Sequence, residues 1–352
     1  MTKPTRLFLF VSGGILAAGL GTGLVAAYVG GFQNLSLLAA SGPDELSYLP
    51  SDAKVVGYAN VRELMDSELH QKLQALTPRN GNGLARFQEE TGVDVSKDVD
   101  YVLAAIGGDV SAATPEQGRP LVIARGRFDN VRIEGLVRSK GGTVEDYKGV
   151  RFLNVSEPSG AMHAALAFVE PGLIAMGADA AVRQAIDGHR GSAANATGNA
   201  ELVRLVKDAS DGNLWVVARF DALSAAGNLP AGVAERLPAI NWVTLTGHVN
   251  GGIRAAVRAE ARDDAAAKNL RDVVQGMLAL AKLQTGQRTD FAAIMDSIEL
   301  GGDGKTVSLA LSIPIEVMDH LASLHTPGGL RPSPDAPQPP APPQAPEPPA
   351  VP

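Results

Sequence analysis

The segment NWVTLTGHVNGGIRAAVRAEAR, residues 241–262, constrains the possible folds of this chain more than any other feature. Apolar and polar side chains alternate on both sides of its Asn-Gly-Gly, as they do in two antiparallel strands joined by a turn. With a three-residue loop at 250–252, Leu245 lies opposite Val257 and the apolar side chains share one face. A two-residue loop would place Leu245 opposite Ala256 and mix the faces, so the alternation predicts the three-residue loop. The opposite face then carries Trp242, Thr244, Thr246, His248, Arg254, Ala256, Arg258 and Glu260.

Two further hairpins are predicted from the same alternation. Their turns are marked by Lys148-Gly149 and by the Glu-Pro-Gly at 170–172, which contain residue types that favour turn geometry. Antiparallel sheets should therefore form a large part of the body of the protein, residues 49–324.

Helical periodicity marks two main segments between these strands. One helix is predicted over 60–76, capped by Asn60, with an apolar stripe of Leu64, Met65, Leu69, Leu73 and Leu76. A longer helix is predicted over 264–285, beginning at Asp263-Asp264 and ending before Gly286. Its expected buried residues are Leu270, Val273, Val274 and Met277. The body is therefore predicted to be α+β, with antiparallel sheets and packed helices.

The body shows signs of two related halves. Three segments share the order of an apolar strand, then Asn or Asp, then a helix, and the Arg-Phe-Asp at 127–129 recurs at 219–221. Asp129 and Asp221 are expected to cap helices, because their carboxylates can accept hydrogen bonds from N–H groups of the first turn. The predicted halves are residues 49–190 and 199–324, separated by a stretch rich in Ala, Gly and Asn.

Residues 301–306, GGDGKT, end like a phosphate-binding loop, which has the pattern G-x-x-x-x-G-K-[ST] between a strand and a helix. The first glycine of that pattern would fall at Glu299, whose carboxylate would repel phosphate. Apolar residues at every second position follow the segment, which predicts a strand instead of a helix. The segment is therefore predicted to be the turn of a hairpin, and nucleotide binding is not expected.

Other chemistries are also disfavoured. The net charge is −7 without a long basic run, which argues against nucleic-acid binding. Ser51-x-x-Lys54 has the spacing of penicillin-recognising serine enzymes, but Ser51 follows Pro50 and Lys54 enters a strand, so a turn is expected. The six histidines lack metal-binding spacing and the chain has no cysteine. No catalytic residue, cofactor or metal site is predicted.

The N-terminal segment, residues 1–31, predicts the location of the protein. Lys3 and Arg6 precede an uncharged stretch that extends from Leu7 to Gln33, longer than the about 20 apolar residues that cross a bilayer. Residues 7–31 are therefore expected to anchor the chain in the inner membrane as a single span. The positive-inside rule places the N-terminus in the cytoplasm and the body in the periplasm. The alternative is a signal peptide cleaved near Ala27, which would give a secreted protein.

The two ends of the body are expected to be extended segments. Residues 32–48 are predicted to be a spacer next to the membrane. Residues 325–352 are rich in proline, which removes backbone donors and favours polyproline II, so this tail is expected to be disordered.

Four stretches, LPSDAKVVGYANVRELMDSELHQKL, RGRFD, GGTVEDYKGVRF and LRDVVQGMLALAKLQTG, together resemble an uncharacterised family of bacterial exported, membrane-anchored α+β proteins of unknown function. The resemblance covers most of residues 49–313. It implies a setting in the cell envelope and brings no known catalytic or binding residues.

Three functions remain open from the sequence. The favoured one is an interaction or scaffold module that binds an envelope protein or polymer through its sheet faces and tail. The second is a carrier of a lipid or other apolar ligand between a curved sheet and the helix 264–285, which predicts a deep apolar cavity. The third is a hydrolase, which predicts a cleft where a Ser or His meets a carboxylate with a shifted pKa.

Overall fold

The computed structural model of the 352-residue chain describes residues 44–71, 82–108, 118–156, 163–225, 239–285 and 295–315. The strands within these ranges are β1 (Val55–Ala59), β2 (Val99–Ile106), β3 (Pro120–Gly126), β4 (Thr143–Tyr147), β5 (Val150–Ser156), β6 (His163–Glu170), β7 (Leu173–Ala178), β8 (Leu214–Arg219), β9 (Ile240–Val249), β10 (Gly252–Ala261), β11 (Glu299–Gly301) and β12 (Thr306–Pro314). They form one antiparallel sheet in the spatial order β11-β12-β10-β9-β8-β1-β2-β3-β7-β6-β5-β4.

Eight α-helices lie with both ends inside the described ranges and accompany the sheet: α1 (Val61–Asp66), α2 (Asn82–Thr91), α3 (Val95–Asp98), α4 (Asn130–Ser139), α5 (Asp179–His189), α6 (Ala200–Ala209), α7 (Phe220–Ala225) and α8 (Asp264–Thr285). Two short 3₁₀ turns, Asp44–Tyr48 and Ala196–Gly198, add to them. The predicted α+β class is confirmed, but the strands join into one sheet where separate sheets were expected.

The central strand β1 connects the two predicted halves of the body. It pairs with β2 along one edge and with β8 along the other, both antiparallel. Val56 and Ala59 are almost fully buried, and helices lie on both faces of this part of the sheet. A strand covered on both faces needs apolar residues at successive positions, as β1 has. The hydrogen-bonded sheet is therefore continuous across the two predicted halves, whose division into domains stays a prediction.

Helices cover the two faces of the sheet differently. On one face, α5 and α6 pack on the strands through residues such as Ile186 and Leu202, over a core that includes Trp215. On the other face, α1, α3 and α4 pack on the inner strands. Ile253 and Ala259 of β10 have the same parity, and they contact Leu69 after α1 and the apolar cluster of α8 respectively. Thus α8 lies on the same face as α1, and we call the two faces the α5/α6 face and the α1/α8 face.

The predicted hairpins are confirmed in position, and the register predicted for the hairpin at 241–262 is confirmed as well. Val257 pairs with Leu245 across β9 and β10, which is the arrangement that the three-residue loop requires. Lys148 and Gly149 form the turn between β4 and β5, with φ of 54° and 74°, values that suit a two-residue primed turn. GGDGKT connects β11 to β12, so this segment is a hairpin turn as predicted. Ser51 lies in a turn ahead of β1.

Two of the three predicted caps are confirmed. Asn60 accepts a hydrogen bond from the N–H of Glu63 at 3.1 Å, and Asp129 accepts one from Arg132 at 3.0 Å. The prediction for Asp221 was wrong in position, because this residue lies inside the first turn of α7 and forms an ion pair with Arg219.

The helix predicted over 60–76 is interrupted. Its first part, α1, ends at Asp66, and the hydroxyl of Ser67 donates to the carbonyl of Leu64 at 2.6 Å. The N–H of His70 donates to the same hydroxyl oxygen at 3.2 Å, so Ser67 ends one helical segment and starts the next. The predicted stripe residues Leu73 and Leu76 lie outside the described residues.

The bounds predicted for α8 are confirmed, but its predicted buried face was partly wrong. Leu270 is buried as expected, whereas Val273 and Met277 are 37% and 57% exposed. The reason is that α8 packs through its first turns against Ala261 and Val307 at one end of β10 and β12. Within the described ranges, the apolar cluster includes residues of α8 only up to Val274, so side chains of the following turns stay exposed.

The last residues of the predicted spacer belong to the folded body. In the 3₁₀ turn Asp44–Tyr48, the Glu45 side chain is 5% exposed, and its carboxylate accepts a hydrogen bond from Arg125 at 2.8 Å and another from the hydroxyl of Tyr101. Burial, followed by the bond to Glu45, raises the pKa of Tyr101 to about 12. The guanidinium also contacts Glu170 at 3.3 Å, so this network attaches the turn to β2, β3 and β6.

We expect the Glu45→Gln substitution to lower the free energy of unfolding by about 2 kcal/mol, because it removes a charged hydrogen bond from a buried site. Equilibrium urea denaturation of the full-length chain in detergent, followed by the fluorescence of buried Trp215 and Trp242, measures the change. The matched control is Asp208→Asn, which breaks an exposed pair with Arg204 and should change stability by less than about 0.5 kcal/mol. Equal effects of the two substitutions would contradict the proposed importance of the network.

Candidate functional site

A polar groove lies on the α5/α6 face of the outer strands, by which we mean β9, β10, β12 and β11. Its volume is about 300 Å³, and it is lined by Asp211, Ser297 and a set of strand residues: Thr246, His248, Arg254, Ala255, Ala256, Arg258, Glu299, Ala310, Leu311 and Ser312. In the described part of the chain, α6 packs on β8 and β9, and it touches β10 through the pair Arg204–Glu260 and through the carbonyl of Asp208, which accepts a hydrogen bond from Arg258. No helix of the described ranges packs on β12 and β11 on this face. The groove therefore exists because the sheet extends further than its helical layer.

The register of the strands explains the shape of the groove. His248, Arg254 and Ser312 form one row across β9, β10 and β12. The next row on the same face contains the alanines of β10 and β12, Ala256 and Ala310. Neighbouring strands are about 4.8 Å apart, so small side chains in the second row leave a depression beside the larger side chains of the first row.

Burial and neighbouring charges determine the electrostatics of the groove. Desolvation lowers the pKa of His248, Asp211 at 3.8 Å from its Nε2 acts in the opposite direction, and Arg254 lowers the pKa further. Desolvation likewise lowers the pKa of Arg254, although a guanidinium stays protonated in proteins. At neutral pH the site therefore combines a neutral imidazole with the cations Arg254 and Arg258 and the anions Asp211 and Glu299.

No residue of the groove was singled out as a site from the sequence. The hairpin at 241–262 did place His248, Arg254 and Arg258 on one face, which was the available signal. The sequence did not predict that β12 pairs with β10, or that the turn carrying Asp211 lies next to His248. Both contacts join residues that are distant along the chain.

A second cluster brings together a serine, a histidine and an acid. The hydroxyl of Ser47 lies 2.9 Å from Nδ1 of His189, and Nε2 of this ring lies 3.8 Å from Glu170. This is the meeting of side chains that the hydrolase hypothesis required. However, 3.8 Å is too long for the hydrogen bond that would orient a catalytic imidazole.

The surroundings of this cluster favour a structural role. Tyr48 stacks on the ring of His189 with centroids 4.1 Å apart, and its hydroxyl donates to Glu170 at 2.9 Å. Arg125 also contacts Glu170, so that carboxylate is directed to the tyrosine and the arginine. The cluster joins the 3₁₀ turn Asp44–Tyr48 to α5 and β6.

The opposite, α1/α8 face of the outer strands carries a partly exposed apolar surface, which we call the apolar groove. Its floor is a row across four strands formed by Val216, Leu245, Val257 and Leu309. Beside it, α8 packs on β10 and β12 through residues such as Leu270, and its side chains Val273, Met277 and Leu280 are exposed, Met277 and Leu280 by 57% each. Of the six exposed large apolar side chains in the described residues, Val131 lies elsewhere on α4, and the other five lie on α8 and β10.

The orientation of α8 follows from its polar contacts. Arg271 donates to the carbonyl of Gly302 at 2.9 Å and Lys282 pairs with Asp296 at 3.1 Å, so both point to the β11 side. Successive residues of an α-helix are rotated by about 100°. Met277 therefore projects from a different side of α8 than Arg271 and Lys282 do.

Comparisons with known proteins identify no family. No protein-family model matches the sequence, and no curated protein matches it. Two crystal forms of a protein named TP0453 are similar in structure. Form III is 10% identical in sequence with a TM-score of 0.46, and the match covers 81% of this chain and 100% of the TP0453 chain. Form I is 11% identical with a TM-score of 0.44, and the match covers 81% of this chain and 98% of the TP0453 chain. At these values the similarity carries no argument about function.

The predicted membrane anchor, residues 7–31, and the proline-rich tail, residues 325–352, lie outside the described residues. None of the helices that the structure describes has the length and apolar character needed to span a bilayer. The location of the protein therefore stays a prediction.

We expect His248 to make stability depend on pH. Its pKa is lower in the folded state than in the unfolded chain, so its stabilising contribution is complete above the unfolded value of about 6.5 and is lost as the pH falls through the folded value. Unfolding free energies measured between pH 7.5 and 5 should fall with pH in the native chain and fall less in His248→Gln. Burial also lowers the pKa of His70, so the pH dependence of stability in His70→Gln separates the contribution of His70 from that of His248. An unchanged pH slope in His248→Gln would contradict this assignment.

Proposed function

We propose that the protein is a membrane-anchored, extracytoplasmic interaction module of the bacterial envelope that binds a protein or polymer partner through its outer strands. The observation that supports this most directly is that the outer strands present an accessible polar groove on one face and partly exposed apolar side chains on the other. Inner strands such as β2 and β3 are instead covered by helices on both faces. Accessible sheet surface of this kind is suited to binding.

The N-terminal sequence supports the envelope setting. Residues 7–31 form an uncharged span preceded by Lys3 and Arg6, and the first described element of the body is the 3₁₀ turn Asp44–Tyr48. The intervening residues 32–43 can extend by at most about 3.6 Å each, so the body would stay within about 45 Å of the membrane surface. Binding of envelope partners would then occur close to the inner membrane.

Photo-crosslinking in intact cells tests the proposal. Neighbouring exposed positions on β10 face opposite sides of the sheet: Val257 lies in the apolar groove and Arg258 lies in the polar groove. We expect a benzophenone amino acid at Arg258 to crosslink a specific envelope partner, because this groove suits a polar protein or polymer surface. A probe at Lys140, at the end of α4, is the control and should give no specific product. The absence of a specific product at both β10 positions would contradict the interaction module.

A second candidate function is that of a carrier for a lipid or other apolar ligand. The apolar groove between α8 and the sheet favours it, because an acyl chain could lie along Leu245 and Val257 against Met277. The carrier hypothesis predicted a deep apolar cavity, whereas Val257 and Met277 of the apolar groove are exposed in the described structure. The interaction module is therefore preferred.

The carrier function predicts that lipid copurifies with the protein in mild detergent, detected by native mass spectrometry. Met277→Lys should reduce the bound lipid several-fold, because it places a charge in the apolar groove. The matched control is Leu283→Lys on the same helix, where the side chain is 81% exposed. Equal lipid content in both variants, or no lipid in the native chain, would rule out the carrier.

A further inference from the structure

The polar groove has its cations in the middle and its anions at the edges. Arg254 and Arg258 lie four residues apart on β10, about 13 Å along the strand, on either side of Ala256. Because the alanine occupies little space, an anionic group resting on it would lie between the two arginines on the strand. The guanidinium of Arg258 also donates to the carbonyl of Asp208 at 3.4 Å, at the end of α6. Arginine is suited to this role, since its planar fork binds the two oxygens of a carboxylate together.

The rim of the groove is less favourable to a highly charged ligand. Asp211 borders it next to β9, and Glu299 borders it on β11. These two carboxylates balance the charge of Arg254 and Arg258, so a dianion such as phosphate would meet repulsion at both edges. A carboxylate at the rim accepts hydrogen bonds well, which favours a ligand that carries several donors around a single anionic centre.

Hydroxyl and imidazole groups complete the lining. Thr246 and His248 lie on β9 and Ser312 lies on β12, on the two sides of Arg254. These groups can both donate and accept hydrogen bonds, as the hydroxyls of a sugar ring do. The volume of about 300 Å³ is at the small end of the range for small-molecule sites, which suits one sugar ring better than a larger ligand.

We propose that the polar groove binds an acidic sugar, meaning a polyhydroxylated ring with one carboxylate, with the carboxylate between Arg254 and Arg258 over Ala256. This inference deepens the proposed function, because it assigns a ligand class to the groove of the interaction module. Asp211 and Glu299 accept hydrogen bonds from the ring hydroxyls. The groove is open to the side, so the ring can be a free sugar or one unit of an acidic polysaccharide.

Isothermal titration calorimetry of the full-length chain in detergent tests the ligand class. The probes are glucuronate, glucose and inorganic phosphate, with an oligosaccharide that contains internal glucuronate as a fourth arm. We expect glucuronate to bind at least about tenfold more tightly than glucose, because hydrogen bonds to charged groups are the stronger ones. Binding of the oligosaccharide as well as the monosaccharide would place the ligand within a polymer, and binding of the monosaccharide alone would identify a free sugar acid.

Two variants and one control locate the binding. Arg254→Gln removes a cation, and Ala256→Leu fills the floor of the groove without changing charge. Each should weaken glucuronate binding about tenfold, consistent with the loss of one charged hydrogen bond or of the space for the carboxylate. Arg262→Gln is the control, since this exposed arginine pairs with Asp263 beyond the end of β10. Thermal unfolding of each variant verifies that it is folded.

Three results would overturn the inference: no heat of binding with glucuronate, equal binding of glucose, or tighter binding of phosphate than of glucuronate. Unchanged glucuronate affinity in both folded variants would also overturn it, because binding would then occur elsewhere. Failure of the sugar probes together with a specific crosslink at Arg258 would reject the ligand class and leave the interaction module intact. Glucuronate binding without any crosslinked partner would support the ligand class and contradict the interaction module.

Discussion

The hydrogen bonds of β1 to β2 and to β8 are the interaction on which the rest of the structure depends. They join the strands that precede residue 190 to those that follow it, and so they create one sheet of twelve strands in the described chain. A strand in this position is covered on both faces, which is why Val56 and Ala59 are buried and why polar residues are absent from its centre. On the α5/α6 face, β12 and β11 then lie beyond the described helices that pack on the middle of the sheet.

The two grooves result from the period-two geometry of β10. Successive residues of a strand point to opposite faces, so Val257 lies on the apolar side and Arg258 on the polar side although they are adjacent in sequence. A shift of the β9–β10 register by one residue would exchange the faces and bring charges against α8. The three-residue loop at 250–252 prevents this shift, and it therefore determines the chemistry of both surfaces.

The 3₁₀ turn Asp44–Tyr48 gives the body a fixed point of attachment to the segment that precedes it. Glu45 is buried with Arg125, and Tyr48 is stacked on His189, so the turn contacts β3 and α5 together. In a chain anchored by residues 7–31, such an attachment would limit how the body can turn relative to the membrane. The serine, histidine and acid found nearby are explained by this structural role, since Glu170 is directed to Tyr48 and Arg125.

The sequence by itself determined the local structure: the α+β class, the positions of the hairpins, the register of β9 and β10, the caps at Asn60 and Asp129, and the turn in GGDGKT. These features depend on residues a few positions apart, where alternation and turn chemistry are decisive. Only the tertiary structure decided that all strands form one sheet, that Met277 is exposed, and that Asp211 and Ser312 lie beside Arg254. Those outcomes depend on which distant strands pair and on where the helical layer ends, and periodicity in one segment carries no information about its partner in space.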